Sequence, residues 1–121
     1  MEKSNTGTDP DMIAEGGEAI LVLITTSSSQ EAENIGRRLV EERLAACVNL
    51  IPQVRSLFFW EGKLSDEAEV LLVVKSRRPL FRQLVTRVQA LHSYSVPEII
   101  AVPILEGSMG YLKWVNEVTR C

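Results

Sequence analysis

The stretch from Cys47 to Lys75, CVNLIPQVRSLFFWEGKLSDEAEVLLVVK, constrains this chain more than any other. It reads as one long β-hairpin. Two apolar, β-rich arms, VRSLFFW and EVLLVVK, flank Glu61-Gly62. Glycine after a polar residue marks a tight turn, because glycine accepts positive φ without steric cost. Such a turn pairs Trp60 with Lys63 and Phe59 with Leu64. The arms are longer than the ~5–6 residues of an ordinary strand. They are also apolar on both faces: Val70, Leu72 and Val74 point one way, Leu71 and Val73 the other. A small antiparallel sheet normally packs one face and wets the other. Two apolar faces call for a second partner, and in so short a chain that partner is another subunit. The aromatic tip Phe58-Phe59-Trp60 is the expected contact, with a ligand-stacking plate as the alternative for Trp60. Pro52 cannot donate to a sheet ladder, so it marks an edge or a bulge in the first arm.

The flanking residues extend this hairpin into a β-α-β-β-α-β-α order. Ala19 to Ile24 is a continuous apolar run, as expected of a buried central strand. Ser28 with Glu31 three residues later forms a capping box. Ala32, Ile35, Gly36, Leu39 and Val40 then recur at helical spacing, which predicts a helix from about Ser29 to Arg43. Pro79 suits the first turn of a second helix with the inner stripe Leu80, Phe81, Leu84, Val85, Val88 and Leu91. Residues 92–98 are irregular, since Pro97 bars helix at its predecessor. Ile99 to Leu105 is a further strand, interrupted by Pro103. Ser108 is expected to cap a last helix carrying Tyr111, Leu112, Trp114, Val115 and Val118. The first six elements are the split βαβ, ferredoxin-like arrangement of an α+β fold. The hairpin is extended and a C-terminal helix is added. Residues 1–17 are polar and read as a disordered tail, leaving residues 18–121 as the folded domain.

Charge and composition exclude several classes. With 13 basic and 16 acidic residues the formal net charge is −3. A broad basic face for nucleic acid is therefore not expected. No apolar run approaches the ~18 residues of a membrane span, and no signal-peptide core is seen, which places the protein in the cytoplasm. The cysteines Cys47 and Cys121 form neither a disulfide framework nor a CxxC, which fits a reducing compartment. No nucleotide-binding glycine fingerprint, zinc spacing or catalytic triad is present. No organic cofactor is expected.

One polar-aromatic constellation remains, His92-Ser93-Tyr94-Ser95-Val96-Pro97-Glu98, on a connection where function tends to gather. Histidine as a residue type changes charge near neutral pH and ligates metals, so His92 suits a metal or a proton. Tyr94 can stack or donate. Glu98 can ligate a metal or act as a base. The same residues admit a purely structural role: His92 closing the second helix, Tyr94 packing, and Glu98 paired with Lys75 or an arginine. Cys47 is either a soft metal ligand or a small core residue, and Trp114 is expected in the core.

Taken together, LAACVNLIP (44–52), LFFWEGKL (57–64), VVKS (73–76), HSYSVPEII (92–100) and YLKWV (111–115) resemble the CutA1 family of divalent-cation tolerance proteins. The resemblance covers about residues 19–118, with the motifs in the family's order and spacing. It implies a ferredoxin-like subunit in a compact homotrimer knitted by long hairpins and related in architecture to the PII signalling proteins. It also implies tolerance to copper and other divalent cations, without an enzymatic activity. The chain departs from the family pattern in carrying Ser93 for a proline, Ser95 for an acid, and Ile24 and Leu91 where some members carry Cys and His. Of the metal candidates, His92 carries over first, with Cys47 and Glu98 behind it. The expectation is a trimeric cytoplasmic protein that binds Cu²⁺ or another divalent cation weakly. The alternative is a PII-like sensor holding a metabolite in inter-subunit clefts through Lys75, Tyr94, Glu98 and Trp114. An acylphosphatase-like enzyme would need an arginine cradle after the first strand, and TTSSSQ offers none.

Overall fold

In the computed structural model, residues 12–120 are described; the first eleven residues of the expected tail and Cys121 lie outside them. The elements are β1 (Ile13–Glu15), β2 (Ala19–Thr26), α1 (Ser29–Glu41), β3 (Cys47–Trp60), β4 (Lys63–Arg77), α2 (Phe81–Leu91), β5 (Ile99–Pro103), β6 (Glu106–Ser108) and α3 (Met109–Val118). A short 3₁₀ turn, Arg78–Leu80, leads into α2 with Pro79 where its missing N–H costs nothing.

Four strands form one antiparallel sheet in the order β3-β4-β2-β5. β4 lies between β2 and β3, as in a split βαβ unit, so the α+β ferredoxin-like architecture holds. The hairpin pairs in the expected register, with Trp60 opposite Lys63 and Phe59 opposite Leu64. Glu61 and Gly62 both have positive φ, 51° and 76°, the signature of a type I′ turn. The register shifts between Ile51 and Val54, and Gln53 has φ 62°. This is the bulge that Pro52 announced.

One face of the sheet carries the core. Ile20, Val22 and Ile24 of β2 and Val70, Leu72 and Val74 of β4 pack against Ala32, Ile35 and Leu39 of α1 and Leu84 and Val88 of α2. Replacing a fully buried leucine such as Leu72 or Leu84 by alanine would cost ~2–5 kcal/mol. Ser28 caps α1 by accepting the Glu31 N–H at 3.1 Å. The reciprocal bond is displaced by one residue: Glu31 Oε1 takes the Ser27 N–H at 3.3 Å.

The opposite face holds Leu21, Leu23, Leu71 and Val73, half-buried, with Ile51, Ile100 and Val102 exposed. Among the described residues α1 and α2 cover only the other face; α3 reaches this one at its Cys47 end, where Tyr111 meets Cys47.

Three expectations need correction. Residues 13–15, expected within the tail, form β1, which pairs with β6. Gly16 packs so tightly there that a Cβ would meet the Ile104 carbonyl oxygen at 1.7 Å. The strand expected to run to Leu105 ends at Pro103. Ser108 precedes α3, but its side chain makes no capping bond.

Candidate functional site

A cavity of about 860 Å³ lies where the hairpin meets the 93–98 connection. Its walls come from Thr25, from Ser56, Phe58 and Trp60 of β3, from Ser65, Glu67 and Glu69 of β4, and from Tyr94, Ser95, Val96 and Glu98. Strand parity explains the grouping. Positions 65, 67 and 69 continue the row of Leu71 and Val73, so they share its face. On β3 the bulge inserts a residue and resets parity, which brings Ser56, Phe58 and Trp60 to that same side.

A hydrogen-bond chain fixes the connection over this cavity. The Tyr94 hydroxyl donates to Glu69 Oε2 at 2.8 Å, and Glu69 is only 6% exposed. The Tyr94 N–H donates to His92 Nδ1 at 3.0 Å. Nδ1 is therefore unprotonated, so Nε2 carries the hydrogen and donates it to the Thr25 carbonyl at 2.7 Å. The His92 N–H itself closes α2 on Val88 at 2.8 Å. Glu31 Oε2, from the start of α1, accepts the Ser93 N–H at 2.7 Å.

The electrostatics are acidic. Burial, the bond to Glu69 and the charges of Glu69, Glu31 and Glu67 push the Tyr94 phenol up to about 12. Burial would raise Glu31, but the Ser93 and Ser27 bonds outweigh it and hold the carboxyl below its ordinary range.

The structure divides the expected site residues. Tyr94 and Glu98 line the cavity together with Phe58 and Trp60. Phe59 is 74% exposed at the tip, outside that lining. Lys75 sits elsewhere on the sheet, bonded to Asn49 and 3.9 Å from Cys47 Sγ. Lys75 pairs with Leu21, four residues from Thr25 along β2. That spacing puts it ~13 Å from the cavity wall. Trp114 is half-buried beside Tyr111, with ring centroids 5.5 Å apart, and Cys47 contributes to raising the Tyr111 phenol after burial. Glu98 forms no ion pair among the described residues, so the expected pairing with Lys75 or an arginine is absent.

For a metal, the donor set can be tested directly. His92 has both ring nitrogens engaged, and coordination would require it to give up the Tyr94 N–H. Cys47 lies with Lys75, away from His92 and Glu98. Among the described residues no three His, Cys, Asp or Glu side chains gather as a metal site. A closed nitrogen-sulfur centre for copper therefore does not fit one subunit. What lines the cavity is oxygen: Glu67, Glu69 and Glu98.

Sequence reasoning missed Glu31, Glu67 and Glu69. The one available signal was the i, i+2 spacing of Glu67 and Glu69 on a strand, which puts both on one face.

The family model for the CutA1 divalent ion tolerance protein matches residues 20–118. The divalent-cation tolerance protein CutA of Thermus thermophilus is 50% identical over 99 residues, covering 82% of this chain and 96% of that protein. Protein CutA of Homo sapiens is 41% identical over 104 residues, covering 86% of this chain but only 58% of its own length. Among solved structures, a divalent cation tolerance protein from Thermus thermophilus superposes with a TM-score of 0.83 at 48% identity, covering 84% of this chain and 99% of that one. The periplasmic divalent cation tolerance protein CutA of Archaeoglobus fulgidus gives 0.81 at 42% identity, covering 83% and 97%. No helix among the described residues is long and apolar enough to cross a membrane.

Proposed function

The chain belongs to the CutA1 family of divalent ion tolerance proteins, and from that premise we propose that it is a trimeric, non-enzymatic cation-binding protein acting through the acidic cavity beside the hairpin. The observation that carries this is that Glu67, Glu69 and Glu98 line one concave surface with Tyr94, as separate oxygen donors and not as a gathered cluster. Carboxylate oxygens favour cations, and a site without fixed nitrogen or sulfur donors binds them weakly. Binding is therefore weak, open and centred on oxygen, with Glu98 as the free ligand and Glu69 tied to Tyr94. His92 contributes only by releasing its Tyr94 bond. Cys47 lies too far off to join within one subunit.

Three subunits assemble through the hairpins and the uncovered sheet face. The support is the apolar row Leu21, Leu23, Leu71 and Val73 and the exposed tip, where Phe59 is 74% and Leu64 73% exposed. Assembly also offers a route for Lys75 and Trp114 of one subunit to approach Tyr94 and Glu98 of the next, which is the geometry that the metabolite-sensor alternative needs. We place the protein in the cytoplasm on its cysteine usage. The Archaeoglobus relative is periplasmic, and cell fractionation decides between the two.

Calorimetric titration with Cu²⁺, Zn²⁺ and Mn²⁺ tests the site. The expected result is weak binding that Glu98→Gln reduces several-fold and His92→Ala reduces less. If His92→Ala abolishes binding and Glu98→Gln leaves it intact, the oxygen-centred site is wrong. Saturable binding of a metabolite panel with no metal binding would favour the sensor.

A further inference from the structure

A second concave surface lies on the helical side of the molecule, away from the uncovered sheet face. It is a groove of about 390 Å³ where the end of α1, the outer side of α2 and the segment after α3 come together. Its polar lining is Glu42, Arg82, Gln83, Thr86, Arg87 and Arg120. In a chain of formal net charge −3, three guanidinium groups here face one carboxylate. The region around α2 shows why. From Arg77 to His92 the chain carries Arg77, Arg78, Arg82 and Arg87 and no acidic residue.

The hydrogen bonds reveal what the groove lacks. Most of its acceptors are engaged internally. Glu42 Oε2 takes Arg87 Nε at 2.9 Å and Arg38 Nε at 3.3 Å. The Glu42 carbonyl takes Arg120 Nε at 2.6 Å. Gln83 Oε1 takes Arg120 Nη1 at 3.1 Å, and the Arg82 carbonyl takes the Thr86 hydroxyl at 3.1 Å. Donors remain in excess. The Arg82 guanidinium has no partner among the described residues, and Gln83 keeps its amide N–H groups. Arg87 and Arg120 are bonded through only part of their donor sets. A surplus of planar, fixed-charge donors around a shallow depression calls for an anion with several oxygens. A carboxylate offers two oxygens, and Glu42 already fills that role. A phosphoryl group offers three, which matches donors arriving from α2 and from Arg120. Leu44 and Ala90 supply an apolar wall for the rest of such a ligand.

We propose that this groove is a second ligand site, separate from the acidic cavity, that takes the phosphoryl group of a small phosphate-bearing ligand. Arg82 and Arg87 are its main contacts. Arg120, locked between Gln83 and the Glu42 carbonyl, positions the third side. The site does not depend on metal binding, so the two proposals stand or fall separately.

Calorimetric titration of the full chain with inorganic pyrophosphate and with inorganic phosphate, at about 0.15 M salt to screen non-specific charge, tests it. The expected result is saturable binding that Arg82→Gln weakens on the order of five- to tenfold, the loss of one charge-assisted contact. Arg82→Lys should recover part of it, keeping the charge without the planar fork. Arg78→Gln, an exposed arginine outside the groove, should change nothing. Since the Arg82 guanidinium holds no partner among the described residues, melting temperature should be unaltered in its variants. Sedimentation with phosphatidylcholine vesicles containing phosphatidic acid separates the sources. Vesicle binding lost in Arg82→Gln makes the ligand a lipid headgroup, and pyrophosphate binding alone makes it a soluble phosphorylated compound. Absence of saturation with all three probes, or equal losses in Arg82→Gln and Arg78→Gln, overturns the proposal.

Discussion

Glu31 shows how one carboxylate can serve two elements. It accepts Ser27 at the start of α1 and Ser93 at the edge of the acidic cavity, residues 62 positions from its own in the second case. Its folded pKa is lowered from an ordinary 4.5, so the ionised form is favoured by folding. The sign follows: the contribution is present above the unfolded value and is lost as pH falls through the folded one. Wild type should therefore lose more stability than Glu31→Gln in urea titrations between about pH 5 and pH 3. At neutral pH the variant should be less stable by about 1 kcal/mol, allowing for the partial exposure of Glu31. A stability gap between the two that stays constant with pH would remove Glu31 from this role. Glu31 was legible in the chain only as half of a capping box. Its second partner was not, because contact between Glu31 and Ser93 is set by packing of α1 against the end of α2, and no local pattern encodes it. His92 was legible as special but not as to why. Its type suits a metal, a proton or a helix end, and only the pair of bonds to Tyr94 and Thr25 shows how its nitrogens are used.

Among the elements, the hairpin was the most readable. Its turn and its parity are both local properties, and each determines the same register. The turn residues also invite a direct test. Both central residues have positive φ, yet the first is glutamate, which has no special tolerance of that region. Glu61→Asn should stabilise the fold by about 0.5–1 kcal/mol, and Gly62→Ala should cost about 1–2 kcal/mol. Chemical denaturation checks both; an unchanged midpoint in Gly62→Ala would mean that the turn relaxes to another type. By contrast, the β1–β6 pair was not readable. Each strand has three residues, the two lie at opposite ends of the chain, and neither is long enough to show a period. Polarity and glycine content make residues 13–15 read as part of a tail. Composition of that kind weighs burial but is blind to a strand whose order comes from backbone pairing and the close seat of Gly16.

At the scale of the whole molecule, an arm with two apolar faces can bury only one of them within a single chain. Helices α1 and α2 take Val70, Leu72 and Val74, and Leu71 and Val73 are left with Leu21 and Leu23 on the side those two helices do not reach. Beyond the bulge the hairpin has left the helices behind, and Leu57, Phe59, Trp60 and Leu64 are exposed. Contiguous apolar surface of this kind is seldom left in water by a soluble monomer. Assembly through it implies that folding and association are coupled, so the melting temperature should rise with protein concentration. Light scattering at micromolar concentration should report about three subunits. Trp60→Ala should shift that distribution toward smaller species and lower the melting temperature, because truncating a buried aromatic costs ~3–5 kcal/mol in a packed environment and each assembly would lose it at every copy. Trp60 also borders the acidic cavity, so the same variant separates two roles. If the oligomer persists while cation binding falls, Trp60 is a wall of the site and not an anchor. A stable, well-folded monomer whose melting temperature is unchanged across a hundredfold dilution would defeat the assembly proposal altogether, and the uncovered sheet face would then need another explanation.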